Sequence, residues 1–172
     1  AAMLKGMGVQ HCIIGHSERR QYFGETDQRV HLKIQALLKH GITPIYCCGE
    51  SRSEREAGQH FDVVRVQMKT ALGELSTAQM KDVVIAYEPV WAIGTGLTAS
   101  NEQAQEMHAH IRKIFAKQYS VSVADSISIL YGGSVKASNA KEIFGMTDVD
   151  GGLVGGASLV ADEFYTIINS LK

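Results

Sequence analysis

The sequence has little of what a membrane, secreted or nucleic-acid-binding protein needs. It contains 17 basic and 18 acidic side chains, a formal net charge of −1. A broad nucleic-acid or anionic-membrane surface needs clustered excess lysine and arginine, which this balance disfavours. No apolar run approaches the roughly 18 residues of a membrane helix, and the opening AAMLKGMG lacks the apolar core of a secretory signal. We expect a cytoplasmic protein, with no nucleic-acid or membrane partner, that binds a small neutral or anionic ligand.

Cysteine and metal-ligand patterns are also sparse. The three cysteines, Cys12, Cys47 and Cys48, are odd in number, lack C-x-x-C spacing and lie in apolar runs, which predicts reduced, buried thiols. His108 and His110 are two residues apart on a predicted helix, so their side chains point to different sides. The sequence therefore predicts neither a disulfide framework nor a metal site.

Short apolar runs alternate with amphipathic segments along the whole chain, without a low-complexity stretch or a proline-rich linker. The predicted strands span residues 10–15, 42–48, 83–87, 127–131 and 150–155. Their continuous apolar character is typical of a parallel sheet covered on both faces. Repeated strand-helix units imply right-handed crossovers, so residues 1–172 are predicted to form one α/β domain, either a (β/α) barrel or an open doubly wound sheet.

The intervening helices have recognisable ends and apolar stripes. Thr26 is a predicted N-cap, Gly41 a predicted stop, and Ser100 with Gln103 a predicted capping box. AAMLKGMG is typical of the last turn of a helix that ends at Gly6 or Gly8. Four stripes are predicted to face the core: Val30, Ile34, Leu37 and Leu38; Val64, Met68, Ala71, Leu72 and Leu75; Met107, Ile111, Ile114 and Phe115; and Phe164, Ile167, Ile168 and Leu171.

Glu88 follows the third predicted strand and precedes Pro89. Because a proline ring disfavours helical geometry at the preceding residue, Glu88 should stay extended at the strand tip. Partial desolvation there would raise its pKa and suit it to act as a general base. The next residues form a candidate mobile cover, with Trp91 as an apolar anchor and Gly96 among its small residues. The alternative is a solvated acid followed by an ordinary loop.

His16 opens the segment HSERR after the first predicted strand. The amides at the start of a short helix there would disfavour the imidazolium, leaving a neutral ring able to donate to a substrate oxygen. A structural histidine at a strand end is the alternative. Glu18 and Arg19 could form a supporting ion pair or remain solvated charges.

Two late glycine-serine turns, GGSV at 132–135 and VGGAS at 154–158, suggest anion binding, because glycine lets backbone amides approach an oxyanion. Barrel enzymes commonly hold phosphate at the last two strand ends. Tight turns chosen for backbone geometry are the alternative. GTGLTA at 94–99 matches a dinucleotide fingerprint, but it does not follow a strand directly and lacks the later ribose-binding acid, so we predict no dinucleotide cofactor.

Five segments, GHSERR, CCGE, AYEPVWAIGTG, YGGSV and DGGLVGGASL, resemble in order and spacing the triosephosphate isomerase family across the whole chain. The resemblance implies a TIM (β/α)8 barrel and an isomerase that interconverts dihydroxyacetone phosphate and glyceraldehyde 3-phosphate without a cofactor. It also implies a homodimer for the full-length protein. The residue roles that follow come from this resemblance.

The resemblance implies that Glu88 is the base, that neutral His16 polarises the substrate oxygens, and that Glu18 supports this electrophilic side. Ser17 would hold Glu88 when the lid is open, and Tyr131 would latch the closed lid. The lid would run from Pro89 to Thr98 over the substrate phosphate. The implied phosphate ligands are the amides of Gly94, Gly155 and Gly156 together with Ser134.

A complete barrel of this kind takes about 250 residues, whereas five predicted strands align with the fourth to the eighth of the family. We therefore expect a partial barrel, a fragment of a longer protein, without the family's lysine after the first strand. Such a chain alone is expected to be inactive and poorly soluble, since its sheet edges stay open. A non-catalytic phosphosugar-binding or assembly fragment is the alternative function. A Schiff-base aldolase is disfavoured, since no strand-end lysine is found.

Overall fold

Five parallel strands in one sheet form the centre of the computed structural model, which describes residues 1–171. The strands are β1 (His11–Ile14), β2 (Thr43–Cys48), β3 (Val84–Tyr87), β4 (Ile129–Tyr131) and β5 (Gly151–Gly152). All five fall within the predicted ranges. β5 is shorter than predicted, although Asp150 N donates to Ile129 O at 3.0 Å and Leu153 N to Tyr131 O at 2.9 Å on either side of it.

The strands lie in the order β1-β2-β3-β4-β5, each parallel to the next in sequence. A doubly wound sheet reverses its strand order part of the way along. When every crossover is right-handed and steps in the same direction, the helices fall on one face of the sheet, as in a barrel. The order therefore decides between the two predicted architectures in favour of the barrel type.

Ten α-helices and two 3-10 turns connect and flank the strands in the described residues. The helices are α1 (Ala2–Gly6), α2 (Ser17–Phe23), α3 (Asp27–Lys39), α4 (Arg52–Glu56), α5 (His60–Leu72), α6 (Thr77–Met80), α7 (Asn101–Gln118), α8 (Val121–Ser126), α9 (Ala140–Gly145) and α10 (Ala161–Ile168). The 3-10 turns span Val90–Ala92 and Gly156–Leu159.

Predicted helix ends are confirmed where side chains cap them. Thr26 accepts from the Arg29 amide at the start of α3, and Ser100 and Gln103 form a reciprocal capping box at the start of α7. Gly41 follows α3 with φ of 62°, the left-handed region that favours glycine. These local signals fix element ends before any tertiary packing is considered.

Three of the four predicted apolar stripes pack into the core, with Leu38 and Ile114 at its margin. The fourth stripe, on α10, stays largely exposed. Only Ile167 of α10 is buried, whereas Phe164 and Ile168 are 36% and 48% exposed. The helix ends at Ile168, so Leu171 lies beyond it. The prediction for this stripe was wrong because an apolar face is buried only where another element covers it, and residues 1–171 leave most of this face open.

The two faces of the sheet differ in burial. Strand register aligns four side chains that join the core with the helices: Ile14, Tyr46, Ile85 and Ile129. The adjacent row, on the opposite face because side chains alternate, consists of Ile13, Ile45 and Val84. Ile13 is 47% exposed, and the other two are half-buried. The face turned away from the helices is thus incompletely covered in the described residues.

The cysteines are free thiols, as predicted. Cys47 and Cys48 are buried, but Cys12 is only half-buried because it lies on the edge strand β1. Within residues 1–171 no helix combines the length and apolar character needed to cross a membrane. No three His, Cys, Asp or Glu side chains of this range converge as a metal site would require.

Candidate active site

A cavity of about 530 Å³ opens at the carboxyl end of the sheet. Loops that follow β1, β3, β4 and β5 contribute to its lining, as expected for a parallel α/β fold. Six of the predicted site residues line it: His16, Glu88, Gly94, Ser134, Gly155 and Gly156. The structure thus brings the candidate base, the candidate electrophile and both glycine-serine turns to one cavity.

The Glu88 side chain is almost fully buried, with 2% of the residue exposed, and two groups contact its carboxylate. Its Oε1 lies 2.9 Å from His16 Nε2, and its Oε2 accepts from the Ser17 amide at 2.9 Å. Burial raises the pKa of Glu88, while His16, the Ser17 amide and the Cys47 thiol act in the opposite direction. The result is a carboxylate more basic than a solvated one and fixed in position, which suits a general base.

The backbone at Glu88 depends on close packing against β2. The Glu88 amide donates to Cys48 O at 2.7 Å, and Pro89 follows with φ of −65°. A Cβ atom on Gly49 would lie 1.7 Å from the Glu88 carbonyl oxygen. Position 49 therefore requires glycine, whose lack of a side chain lets the Glu88 backbone pack closely against it at the end of β3. The glycine of CCGE belongs to the sequence motif. Its contact with Glu88 could not be predicted from the sequence, because the two residues are far apart along the chain.

His16 is the N-cap of α2, and its ring is oriented by the helix start. Nδ1 accepts from the Glu18 amide, with the two nitrogens 3.4 Å apart. With Nδ1 as acceptor, the ring proton resides on Nε2 and points at Glu88. This arrangement leaves Nε2 as the hydrogen-bond donor of the ring.

Of the two alternatives for Glu18 and Arg19, the ion pair between them is not formed among residues 1–171, because adjacent helical side chains point in different directions. Arg19 instead lies 3.6 Å from the buried Glu25 and over the ring of Phe23. The Glu18 side chain is exposed, and the contact Glu18 makes with His16 comes from its backbone amide.

The segment after Glu88 starts with a short helical turn and continues as an exposed loop. The 3-10 turn Val90–Ala92 is followed by residues 94–98, which are exposed. Gly94 and Gly96 have φ of 67° and 80°, and a Cβ atom on either would meet no atom within 4 Å. Gly94 lines the cavity, whereas Gly96 does not. The backbone of this segment is irregular rather than a direct strand-to-helix turn.

Sequence reasoning missed the anchor of this segment, Glu50, which follows β2. Glu50 is fully buried, and its Oε1 accepts from Trp91 Nε1 at 2.8 Å, Tyr87 Oη at 3.0 Å and Arg55 Nη1 at 2.9 Å. The Arg55 guanidinium also lies 5.1 Å from the Trp91 ring centre. A buried carboxylate paired in this way fixes the first hinge of the segment. Its position in CCGE, directly after a strand, was the available signal.

Tyr131 lies beneath the exposed segment at the end of β4. Burial raises its pKa to about 12, partly offset by the nearby Ala99 amide. Its hydroxyl has no hydrogen bond of good geometry within the described residues. A Cβ atom on Gly133 would lie 2.2 Å from that hydroxyl, so the second glycine of YGGSV makes room for the ring.

The glycine-serine turn after β5 leaves open space at the cavity wall. A Cβ atom on Gly155 or Gly156 would meet no atom within 4 Å, and Ser158 donates back to Gly155 O at 2.7 Å. The lining also includes Lys136 and Glu163, which the sequence did not predict. Lys136 introduces a cation at the rim of the cavity, beside the predicted phosphate ligands.

Comparison with known proteins agrees with this geometry. The family model described as Triosephosphate isomerase matches residues 1–171. A triosephosphate isomerase of Cytophaga hutchinsonii is 56% identical over 170 residues, which are 99% of this chain and 68% of that protein. The corresponding protein of Porphyromonas gingivalis is 55% identical over 170 residues with the same coverage. That of Chloroherpeton thalassium is 55% identical over all 172 residues, 68% of its own length. The chain therefore belongs to the triosephosphate isomerase family.

Proposed function

We propose that Glu88 is the general base and His16 the electrophile of a triose phosphate isomerisation. Family membership makes the chain an isomerase of glycolysis that acts on dihydroxyacetone phosphate and glyceraldehyde 3-phosphate. The observation that most directly supports the residue roles is the buried Glu88 carboxylate between His16 Nε2 and the Ser17 amide, each at 2.9 Å. Glu88 and His16 both line the cavity at the sheet's carboxyl edge.

The reaction needs one base and one hydrogen-bond donor. Glu88 removes a proton from C1 of dihydroxyacetone phosphate, and the C–H electron pair forms the enediolate while charge moves to the C2 oxygen. His16 donates from Nε2 to that oxygen and stabilises the charge. After proton exchange between the two oxygens, Glu88 returns its proton to C2, which gives glyceraldehyde 3-phosphate. Because burial raises the pKa of Glu88, the same carboxyl group can take and return the proton.

The remaining predicted residues act around the phosphate and the lid. Gly94, Ser134, Gly155 and Gly156 bind the phosphate, and Pro89–Thr98 closes over it and excludes water, which protects the enediolate. Ser17 holds Glu88 while the lid is open. Tyr131, whose hydroxyl makes no strong contact among residues 1–171, latches the closed lid. Glu18 supports His16 through its backbone amide.

We further propose that β1 to β5 correspond to the fourth to eighth strands of the family barrel and that residues 1–172 form one partial-barrel unit. The incompletely covered row Ile13, Ile45 and Val84 supports this, as does coverage of 68% of the relatives' length. Isolated, this polypeptide would have negligible activity. A homodimer of the full-length protein and a cytoplasmic location also stay predictions.

The decisive measurement, made on the full-length protein that contains these residues, is solvent deuterium exchange at C1 of dihydroxyacetone phosphate, followed by proton NMR alongside a coupled assay for glyceraldehyde 3-phosphate. Exchange reports a single proton abstraction even where full turnover is small. Glu88→Gln keeps the shape but removes the base, so exchange should fall by several orders of magnitude. Glu163→Gln, at the same cavity, is the matched control and should retain most of the exchange. Unchanged exchange in Glu88→Gln would disprove the assignment of the base.

The alternative, a phosphosugar-binding protein without catalysis, predicts saturable binding of dihydroxyacetone phosphate with no exchange above the buffer rate. Activity at the level of a full-length family member, from material whose intact mass matches these 172 residues, would refute the proposed inactivity of the isolated chain.

A further inference from the structure

A second cavity, of about 420 Å³, lies between α5 and α7. Seven residues line it: Arg65, Lys69, His110, Lys113, Ile114, Lys117 and Gln118. None of them lines the cavity that holds Glu88. We call this second cavity the basic groove. Its chemistry is therefore separate from that of the substrate site.

Four cations converge on the basic groove from two helices. Arg65 and Lys69 are four residues apart on α5, and Lys113 and Lys117 are four residues apart on α7. Residues at this spacing are neighbours on a helix surface, so each helix places two like charges side by side. Such pairs destabilise a helix unless a negative charge neutralises them. Two of them facing one cavity create a local positive field in a chain whose net charge is −1.

The protein's own carboxylates neutralise little of this charge. Asp62 pairs with Arg65, with Oδ1 2.8 Å from Nη2, but no ion pair holds Lys69, Lys113 or Lys117 among residues 1–171. His110 lines the same groove, and its Nε2 is buried without a hydrogen-bond partner in the described part of the chain. The His110 ring packs against Phe61 at 4.6 Å between centroids, which fixes its orientation. Among residues 1–171 the three lysines are thus left without an acidic partner, and they are the groups available to an anion.

We propose that the basic groove binds a small polyanion with at least two adjacent phosphoryl groups. The volume lies within the range of small-molecule sites. Successive cations on each wall are four residues apart, about 6 Å along the axis, which is further than a single phosphoryl group reaches, so a chain of linked phosphates can contact both cations while one isolated anion cannot. Ile114 provides an apolar patch against which the non-phosphate part of such a molecule can pack. Lysines bind phosphate as flexible point charges, so class recognition is expected here rather than recognition of one compound.

Tripolyphosphate is a suitable probe, with binding to the full-length protein that contains this chain measured by calorimetry and by phosphorus NMR in about 0.15 M salt, where surface charges are screened. We expect saturable one-to-one binding. Lys113→Gln with Lys117→Gln should weaken it on the order of tenfold or more, since charge-assisted hydrogen bonds are lost. Arginine at both positions should retain binding within a few-fold.

The matched control is Lys81→Gln with Lys141→Gln, which removes the same charge at exposed positions outside the groove. Because all four lysines are exposed, these variants should keep the parent circular dichroism spectrum. An equal loss of affinity in the control would overturn the proposal in favour of diffuse electrostatic attraction. So would equal binding of sulfate at matched ionic strength. Absence of saturation by tripolyphosphate, or saturable binding of an acidic peptide alone, would also refute it.

Discussion

Replacing Gly49 with alanine should damage both stability and the position of the base. The new Cβ would start 1.7 Å from the Glu88 carbonyl oxygen and 2.6 Å from its carbon, and the oxygen would have to move about 1.3 Å to reach 3.0 Å. The new Cβ is attached directly to the backbone of residue 49 and meets the backbone of Glu88, just beyond the ends of the paired strands β2 and β3, so no side-chain rotation relieves the clash. Overpacking of this kind costs typically 1–3 kcal/mol. A lower unfolded-state entropy offsets about 0.4–1 kcal/mol, which leaves a loss of roughly 1–2 kcal/mol in the free energy of unfolding.

The same displacement would pull Glu88 away from His16 and Ser17, each now 2.9 Å from its carboxylate. A misplacement of about 1 Å can cost on the order of 100-fold in rate. In the full-length protein, urea unfolding measures the first effect and deuterium exchange at C1 of dihydroxyacetone phosphate measures the second. Gly145→Ala is the control, since Gly145 lies in α9 and its added Cβ meets nothing within 4 Å. Equal unfolding free energies for the two variants would refute the steric reasoning.

Three further predictions concern buried polar groups, all measured by urea unfolding. Trp91→Phe removes the Trp91–Glu50 hydrogen bond and should cost about 1.5–3 kcal/mol; no loss would exclude Glu50 as a hinge anchor. Burial raises the pKa of Glu88 above 4.5, so the folded state binds the proton more tightly than the unfolded state does. The parent should therefore lose stability relative to Glu88→Gln as the pH rises from 4.5 through the raised pKa of the folded protein. Parallel curves of unfolding free energy against pH would contradict this. Burial lowers the pKa of His108 from 6.5 to about 4, so acidification across that interval should destabilise the parent by up to roughly 3 kcal/mol. His108→Gln should lack this component, and an equal acid response would disprove it.

Much of the fold was predictable because its signals are local. Thr26 and Ser100 cap their helices through residues three positions later, and each strand is a short apolar run bounded by turn residues. The candidate base and electrophile were also predictable, since Glu88 and His16 each follow an apolar strand directly. Parallel strands necessarily bring such positions to one edge of the sheet.

The contacts between these positions were not predictable. Ser17 and Glu88 are 71 residues apart in sequence, and Glu50 and Trp91 are 41 apart. Strand register decides whether such residues touch, and a one-residue slip would reverse every side chain in a strand. The predicted burial of the α10 stripe failed for a related reason, because periodicity shows which face is apolar but not what covers it.

The sequence by itself determined the order of strands and helices, the class of fold and the two central candidate residues, Glu88 and His16, since each depends on short-range pattern. Only the tertiary structure decided the proton position on His16, the glycine required at position 49, the anchor at Glu50 and the basic groove between α5 and α7. These features arise where distant segments pack side by side. Their energies depend on distances of a few ångströms that no local pattern encodes.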